Sequence, residues 1–141
     1  MLVRLLYASR APKDIDSSLV EAIIDQSSRH NSSAGVTGIL CYSGRTFTQV
    51  LEGGRKEVSS LYGSIAGDAR HMDVELLLFQ EITERRFSSW TMGQVNLDKV
   101  NPSILLKYSE KPVFDPFSMG GTASIALLEE LIASGAIAVR G

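Results

Sequence analysis

Alternating apolar and polar residues mark the strands of this chain. In residues 44–54, GRTFTQVLEGG, one face carries Phe47, Gln49 and Leu51 and the other carries Val50, because strand side chains point alternately to opposite faces. The amide of a glutamine on a buried face brings two donors and one acceptor, and an unpaired buried polar group costs roughly 1–3 kcal/mol. The pattern therefore predicts partners for Gln49 inside the fold.

Four other segments have strand character: residues 2–9, 36–43, 74–82 and the short stretch SSWTMGQVN at 88–96. The first places Val3, Leu5 and Tyr7 on one face and Leu2 and Leu6 on the other. A turn at residues 43–44 closes a hairpin between the second and third strands. We predict a helical turn for TERRF, residues 83–87.

Two segments have the spacing of amphipathic helices. Asp16 is a candidate N-cap for the helix SSLVEAIIDQSSRHN, and Gly53-Gly54 precedes the second, RKEVSSLYGSIAGDARH. Their inward stripes are Val20, Ile23, Ile24, Ser27 and Asn31 in the first, and Val58, Leu61, Tyr62, Ile65 and Ala69 in the second. The first stripe begins apolar and ends polar.

The resulting order, β-α-β-β-α-β plus a fifth strand, predicts an α+β fold of the ferredoxin-like type. In that arrangement both helices cover one face of the sheet, and strands one and three lie side by side in its centre. Tyr7 and Gln49 then project toward the helices from neighbouring strands.

The remaining residues, 97–141, are predicted as a C-terminal helical extension to a first unit of residues 1–96. NPSILLKYSEK is a short helix, PVFDPFSMGG a connector and TASIALLEELIASGAIA a longer helix. Its apolar stripe consists of Ile125, Leu128, Leu131 and Ile132. This stripe packs either on the open sheet face or in a dimer contact, and we expect a homo-oligomer.

Composition narrows the function classes. A chain of 141 residues with a net charge of −2 most simply forms one domain, and it has no basic excess that would bind nucleic acid. Cys41, the single cysteine, lies in an apolar strand and packs as a small hydrophobe. No stretch approaches the ~20 apolar residues needed to cross a bilayer, and the N-terminus does not resemble a signal peptide, so we expect a cytoplasmic protein without a membrane anchor.

Several polar side chains converge in this fold on the gap between the two helices. They are Tyr7, Asn31, Gln49, Asp68, Arg70 and His71, and the walls of the gap are Ile23, Ile24, Leu61 and Ile65. A slot with apolar walls and polar groups near one end suits a flat heteroaromatic ligand.

Each of these residues also has an ordinary structural explanation. Asn31 is equally suited to be a helix C-cap, Asp68 to pair with Arg70, and His71 to lie in solvent. Trp90 and Met92 alternate on the fifth strand, and from the sequence alone they are interpreted as ordinary core residues.

The chain resembles the BLUF domains, bacterial blue-light sensors that use flavin. The segments that carry the resemblance are LLYASRA, SSRHNSSAGVTGILCYSGRTFTQVLEG, LYGSIAGDARH and ITERRFSSWTMG, from residue 3 to about 95. The tail is similar to the C-terminal helices of short, stand-alone members.

The resemblance implies a photochemical role for two residues. Tyr7 would be the electron and proton donor, and Gln49 the amide that switches its hydrogen bonds by rotation or tautomerisation. Trp90 and Met92 would be the pair on the fifth strand that responds to the switch.

The resemblance also implies a cofactor-binding set: Ile24, Ser27, His30, Asn31, Gln49, Ile65, Asp68, Arg70 and His71. Asn31 would hold the pyrimidine end of the flavin, and Ser27 would bond near the tryptophan. Ser64 departs from the pattern, because some members carry a basic residue there, and so a phosphate contact from that position is in doubt. FAD is the implied cofactor, with FMN as the alternative.

We expect a sensor and not an enzyme, because no catalytic domain follows the flavin-binding segments. The effector would be a separate protein, either an EAL-type phosphodiesterase or a transcription regulator. The alternatives are a flavin-dependent or acylphosphatase-like enzyme on the same fold, and an interaction module without flavin. Against an enzyme, SRAPKD lacks a glycine-rich phosphate loop and there is no nicotinamide fingerprint.

Overall fold

The computed structural model describes residues 1–89, 92–135 and 138–140. A six-stranded sheet has the strand order β4-β1-β3-β2-β5-β6. The strands are β1 Leu2–Arg10, β2 Thr37–Ser43, β3 Thr46–Gly54, β4 Met72–Ile82, β5 Met92–Asn96 and β6 Ala138–Arg140. The helices are α1 Ser17–Ala34, α2 Arg55–Ala66, α3 Pro102–Tyr108 and α4 Pro116–Ala133, with a short 3-10 turn at Leu97–Lys99.

The predicted ferredoxin-like α+β arrangement is confirmed. β1 and β3 are central and antiparallel, and Tyr7 lies directly opposite Gln49. β5 adds parallel to β2, and β6, which the sequence pattern did not predict, pairs antiparallel with β5.

Local sequence signals fix the ends of α1. The carboxylate of Asp16 accepts a hydrogen bond from the backbone N–H of Leu19 at 2.8 Å. The helix ends at Gly35, whose φ of 70° is the left-handed conformation that favours glycine. The helix therefore continues one turn beyond Asn31, which is buried inside it and does not serve as its C-cap.

The sheet separates two apolar cores, as the alternation in β3 requires. Phe47 and Leu51 pack with α1 and α2 on one face. Val50 on the other face packs with Leu128 and Leu131 of α4. The apolar stripe of α4 is thus buried against the sheet of its own chain.

Two local predictions for the second half of the chain are wrong. Residues 83–87 form bends and not a helical turn. The predicted connector before α4 is partly helical, because α4 begins at Pro116 and kinks at Gly120, where φ is 77°. Proline suits the first turn of a helix, and glycine permits the kink.

Glu52 anchors the connection from β4 to β5 as it crosses the sheet on the α4 side. Its buried carboxylate pairs with Arg4 at 2.7 Å and accepts hydrogen bonds from the backbone N–H groups of Arg86, at 3.0 Å, and Phe87, at 2.7 Å. Arg86 in turn forms an ion pair with Glu129 of α4. This connection leads into β5 and Met92.

Within the described ranges, no helix combines the length and the apolar character needed to span a bilayer.

Candidate functional site

A cleft of about 230 Å³ opens between α1 and α2 above β3. Its lining residues are Ile23, Gln26, Ser27 and His30 of α1, Glu57, Ser60, Leu61, Ser64 and Ile65 of α2, Gln49 of β3, and Asp68, Arg70 and His71 of the turn that follows α2. Both helices contribute residues three or four positions apart, because these share one helix face. Gln49 and His71 are buried whereas Gln26, His30, Ser60 and Ser64 are exposed, so the cleft has a closed inner end and an open mouth.

Gln49 is held at both ends of its side-chain amide. The hydroxyl of Tyr7 donates to Gln49 Oε1 at 2.5 Å. Gln49 Nε2 donates to the sulfur of Met92 at 3.2 Å. The predicted need of this buried amide for partners is thus met by a phenol on β1 and a thioether on β5.

Tyr7 is fully buried and remains a phenol at neutral pH. Burial, together with nearby Tyr62 and Asp68, raises the pKa of its hydroxyl well above the usual value of 10.0. The rings of Tyr62 and His71 lie at centroid distances of 5.8 and 6.0 Å. Tyr7 is therefore a hydrogen-bond donor in a desolvated setting.

Asp68 and Arg70, in the turn that follows α2, form a fork-like ion pair on the lining of the cleft. Arg70 Nη2 donates to Asp68 Oδ2 at 2.6 Å, and Nε reaches both carboxylate oxygens at 3.1 Å. Hydrogen bonds from Arg70 lower the pKa of Asp68 to about 2. Arg70 also donates to Gln26 Oε1 at 2.8 Å and so ties this turn to α1.

His71 lies at the base of the cleft with 8% of its surface exposed. Its Nδ1 is 2.8 Å from the hydroxyl of Ser9, and its ring centroid is 5.1 Å from that of Phe47. Burial lowers the pKa of His71 to about 4. The imidazole is therefore neutral at pH 7.

Most of the predicted site residues meet at this cleft. Those that line it are Ser27, His30, Gln49, Ile65, Asp68, Arg70 and His71. Ile24 and Asn31 are buried on α1 without lining it, whereas Tyr7 and Met92 lie behind Gln49. Trp90 lies outside the described residues. Asp68 does pair with Arg70, and His71 is not in solvent.

The sequence pattern missed three lining residues: Gln26, Glu57 and Ser60. Gln26 lies three positions from Ile23, and Glu57 lies four positions from Leu61, both of which the pattern placed in the walls of the slot. Ser60 directly precedes Leu61. Helical spacing was the available signal, but being polar they were left out of the apolar stripes.

Comparison with known proteins gives matches along most of the chain. The family model BLUF, sensors of blue light using FAD, matches residues 2–93. The blue light- and temperature-regulated antirepressor BluF of Escherichia coli K12 is 36% identical over 97 residues, which are 69% of this chain and 24% of that protein. The chain thus spans about a quarter of the length of this curated relative.

Two solved structures extend the likeness to the C-terminal helices. BlsA in its photo-activated state superposes with a TM-score of 0.82 at 29% identity, over 94% of this chain and 95% of that one. Klebsiella pneumoniae BlrP1 with FMN and cyclic diGMP gives a TM-score of 0.70 at 30% identity, over 96% of this chain and 35% of that one.

Proposed function

Because the chain belongs to the BLUF family of blue-light sensors that use FAD, we propose that it is a blue-light receptor whose switch is the amide of Gln49. The observation that carries the proposal is the buried hydrogen-bonded series from Tyr7 to Gln49 to Met92 at the inner end of the cleft between α1 and α2.

The residues of the cleft fit a flavin ring. Its volume of about 230 Å³ lies somewhat below the roughly 300–1,000 Å³ typical of ligand sites, and so suits a flat ring system better than a whole dinucleotide. We infer that Gln49, Arg70 and His71 supply the polar contacts at the inner end, and Ile65 an apolar wall. Ile24, Ser27, His30, Asn31 and Asp68 complete the proposed binding set.

We infer that FAD is the cofactor, with FMN as the alternative. The family description names FAD, and the Klebsiella structure holds FMN. Both carry the same ring system, and that ring is the part that the buried end of the cleft suits.

Tyr7 is suited to be the photochemical donor. When bound, the flavin supplies the absorption of blue light and, once excited, a strong oxidant. A phenol that loses an electron becomes a strong acid, and the Tyr7 hydroxyl, 2.5 Å from Gln49 Oε1, could release its proton along this hydrogen bond. The electron and the proton would both return to Tyr7 when the separated charges recombine, so that no net oxidation results. Transfer in a desolvated site is favoured because no water competes for that hydrogen bond.

The amide of Gln49 can reverse its hydrogen-bonding sense at little steric cost. Its two ends have nearly the same shape, but one donates and the other accepts. After a rotation, Nε2 would face Tyr7 and Oε1 would face Met92. A thioether only accepts hydrogen bonds, so the Met92 sulfur would lose its partner, and this loss would transmit the switch to β5.

We propose that the signal passes to a separate effector protein and that the chain is not itself an enzyme. Residues 1–96 would form the sensor unit, and residues 97–141 the extension that carries the output. The E. coli relative is named an antirepressor and BlrP1 was solved with cyclic diGMP, which is consistent with either a transcription regulator or an EAL-type phosphodiesterase as effector.

A light-minus-dark absorption spectrum of the purified protein tests the proposal. We expect a yellow protein whose flavin band shifts slightly to the red under blue light and returns in the dark. Sustained reduction of the flavin on illumination would instead indicate a redox enzyme, and a colourless protein that binds no added flavin would indicate an interaction module.

Two substitutions test the roles of individual residues. Tyr7→Phe and Gln49→Leu should each abolish the red shift, because each breaks the 2.5 Å hydrogen bond between these side chains. The yellow colour and the circular dichroism spectrum should be retained. A normal photocycle in the Gln49→Leu variant would rule out the amide switch.

A further inference from the structure

We propose that the outer edge of β4 is an interface between two copies of this chain, which pair antiparallel through residues 78–82 about a two-fold axis at Gln80. These residues do not line the cleft, and the inference does not depend on the proposed function. The apolar stripe of α4 is buried in its own chain, so a contact between copies needs another surface.

β4 is an edge strand with one open side. It pairs with β1 and, within the part of the chain that the structure describes, with no other strand. The backbone N–H and C=O groups that point away from β1 therefore have no partner in the sheet, and such a row is a template for another strand. Proteins often block an edge with lysine or proline, and the sequence of β4, MDVELLLFQEI, contains neither.

Residues 78–82 are the regular part of this edge. They pair one to one with residues 2–6 of β1. The register then shifts between Leu6 and Tyr7, and a second shift, together with a φ of 51° at Asp73, distorts the start of β4. Because a bulge bends its strand and interrupts the ladder, a second strand can pair regularly with residues 78–82 and not beyond them.

One register makes this segment complementary to itself. Gln80 lies opposite Gln80 of the second copy, and Phe79 lies opposite Glu81 of that copy. Leu78 then lies opposite Ile82, and the two-fold axis forms each of these unlike pairs twice. An axis at Phe79 would bring the bulge opposite Glu81. An axis at Glu81 would place two carboxylates directly opposite each other, which destabilises a strand pair.

Arg55 makes the same register complementary in charge. Its guanidinium lies over the ring of Phe79, 5.0 Å from the ring centroid. Residues directly opposite on paired strands have Cβ atoms about 4.5–5.5 Å apart, so the Glu81 carboxylate of one copy would reach the Arg55 guanidinium of the other. Among the described residues, neither Arg55 nor Glu81 forms an ion pair within its own chain, and both are exposed.

The edge also has an ordinary structural explanation. Bulges and inward or outward charges protect an edge strand from pairing, and β4 carries the carboxylates of Asp73, Glu75 and Glu81. In that case the chain would stay a monomer, and a new charge at position 80 would have no effect on its association.

Sedimentation equilibrium of the purified full chain over a range of concentrations separates these interpretations. We expect a monomer–dimer equilibrium for the wild type. Gln80→Glu keeps the shape of the side chain but brings two carboxylates together at the axis, and it should raise the dissociation constant of the dimer roughly three- to tenfold. Ser32→Glu, an equal change of net charge at an exposed position of α1, is the matched control.

A charge exchange locates the contact. Arg55→Glu and Glu81→Arg should each weaken the dimer roughly tenfold, because each places like charges at both symmetric contacts. The double variant, which restores an opposite pair, should dimerise nearly as well as the wild type. Since Glu81 has no ion-pair partner in its own chain, its replacement should leave the unfolding of the dilute monomer unchanged.

Three outcomes would overturn the inference. The first is a wild type that sediments as a monomer at every concentration, even if its edge binds a synthetic peptide of alternating lysine and valine. The second is a dimer that Gln80→Glu and Ser32→Glu weaken equally. The third is a double variant that associates no better than Arg55→Glu or Glu81→Arg alone.

Discussion

At residue 49, a carboxamide is stable inside a sheet only because each of its two ends has a partner of the right kind. Tyr7 donates a hydrogen bond to the oxygen, and the sulfur of Met92 accepts one from the nitrogen. A leucine would fill the same space without this preference. The single polar position in an apolar face therefore specifies the orientation of one side chain, and it is that orientation which we propose light changes.

His71 gives the stability of the flavin-free protein a pH dependence. Its pKa falls from 6.5 to about 4 on folding, so the unfolded chain takes up the proton first as the pH falls. The contribution of His71 is thus complete above about pH 6.5 and is lost as the pH falls toward 4, by about 3 kcal/mol at about 1.4 kcal/mol per pKa unit. Urea unfolding at a series of pH values measures this loss.

His71→Gln should flatten the stability curve between pH 6.5 and 4. His30→Gln is the control, since His30 is the other of the 2 histidines and is exposed. The Asp68 carboxylate, whose pKa is lowered to about 2, loses its contribution only below about pH 4, so the two windows are separate. Parallel curves for His71→Gln and wild type would contradict the assignment.

Among the elements, β3 has different chemistry on its two faces. Gln49 faces the cleft, and Glu52, three positions later, faces α4 and holds the crossing connection through Arg86 and Phe87. One strand therefore positions both the amide switch and the chain that leads to Met92.

Replacing Glu52 by glutamine should destabilise the fold strongly. The change leaves Arg4 buried without its counter-ion, and breaking a buried ion pair costs roughly 3–5 kcal/mol. Urea unfolding should show a loss of this order, against less than about 0.5 kcal/mol for Glu81→Gln at an exposed position of β4. Similar losses in the two variants would show that the carboxylate does not hold the connection.

The strands and the first two helices could be predicted because each has a local cause. The period-two pattern around Gln49 and the N-cap at Asp16 are properties of neighbouring residues, and both match the structure. The order of elements predicted that Tyr7 and Gln49 lie on neighbouring strands and project to the same side, whereas the register that places them directly opposite each other is known from the structure.

What could not be predicted depends on contacts between distant parts of the chain. Residues 83–87 look helical locally, but Glu52 draws the N–H groups of Arg86 and Phe87 away from a helical turn. α1 continues beyond Asn31 because Asn31 is buried on the packed side of the helix, although the residues around it are typical of a helix end. The short strand β6 exists only as a partner of β5.

In the whole molecule, the sheet has the cleft on one side and α4 on the other. The ion pair between Arg86 and Glu129 joins α4 to the connection that leads to Met92. Coupling between two sites is reciprocal in free energy, so a contact that carries the light signal to α4 would also change the free-energy difference between the two forms of the switch, and we expect the rate of dark recovery to change with it. The oligomeric state, for which α4 no longer offers its apolar stripe, stays a prediction.

Glu129→Gln should change the rate of dark recovery by roughly two- to fivefold, the effect of an exposed ion pair of ~0.5–1 kcal/mol. Glu130→Gln is the matched control, because this neighbour on α4 bonds to Lys107 and Tyr108 and not to the connection. Absorption recovery after a blue flash gives both rates. Equal rates in the two variants would exclude the Arg86–Glu129 contact as part of the output.

The thioether beside Gln49 has a consequence for timing. The sulfur of Met92 carries no hydrogen and cannot donate a hydrogen bond, so the two orientations of the Gln49 amide differ in free energy. In one orientation the amide bonds to both Tyr7 and Met92, and in the other it loses the hydrogen bond to Met92. In the proposed switch, the illuminated form would therefore be higher in free energy, and we expect it to decay in the dark with no second photon and no helper protein. A residue at position 92 that can donate as well as accept a hydrogen bond would bring the two orientations closer in free energy and would slow the dark recovery.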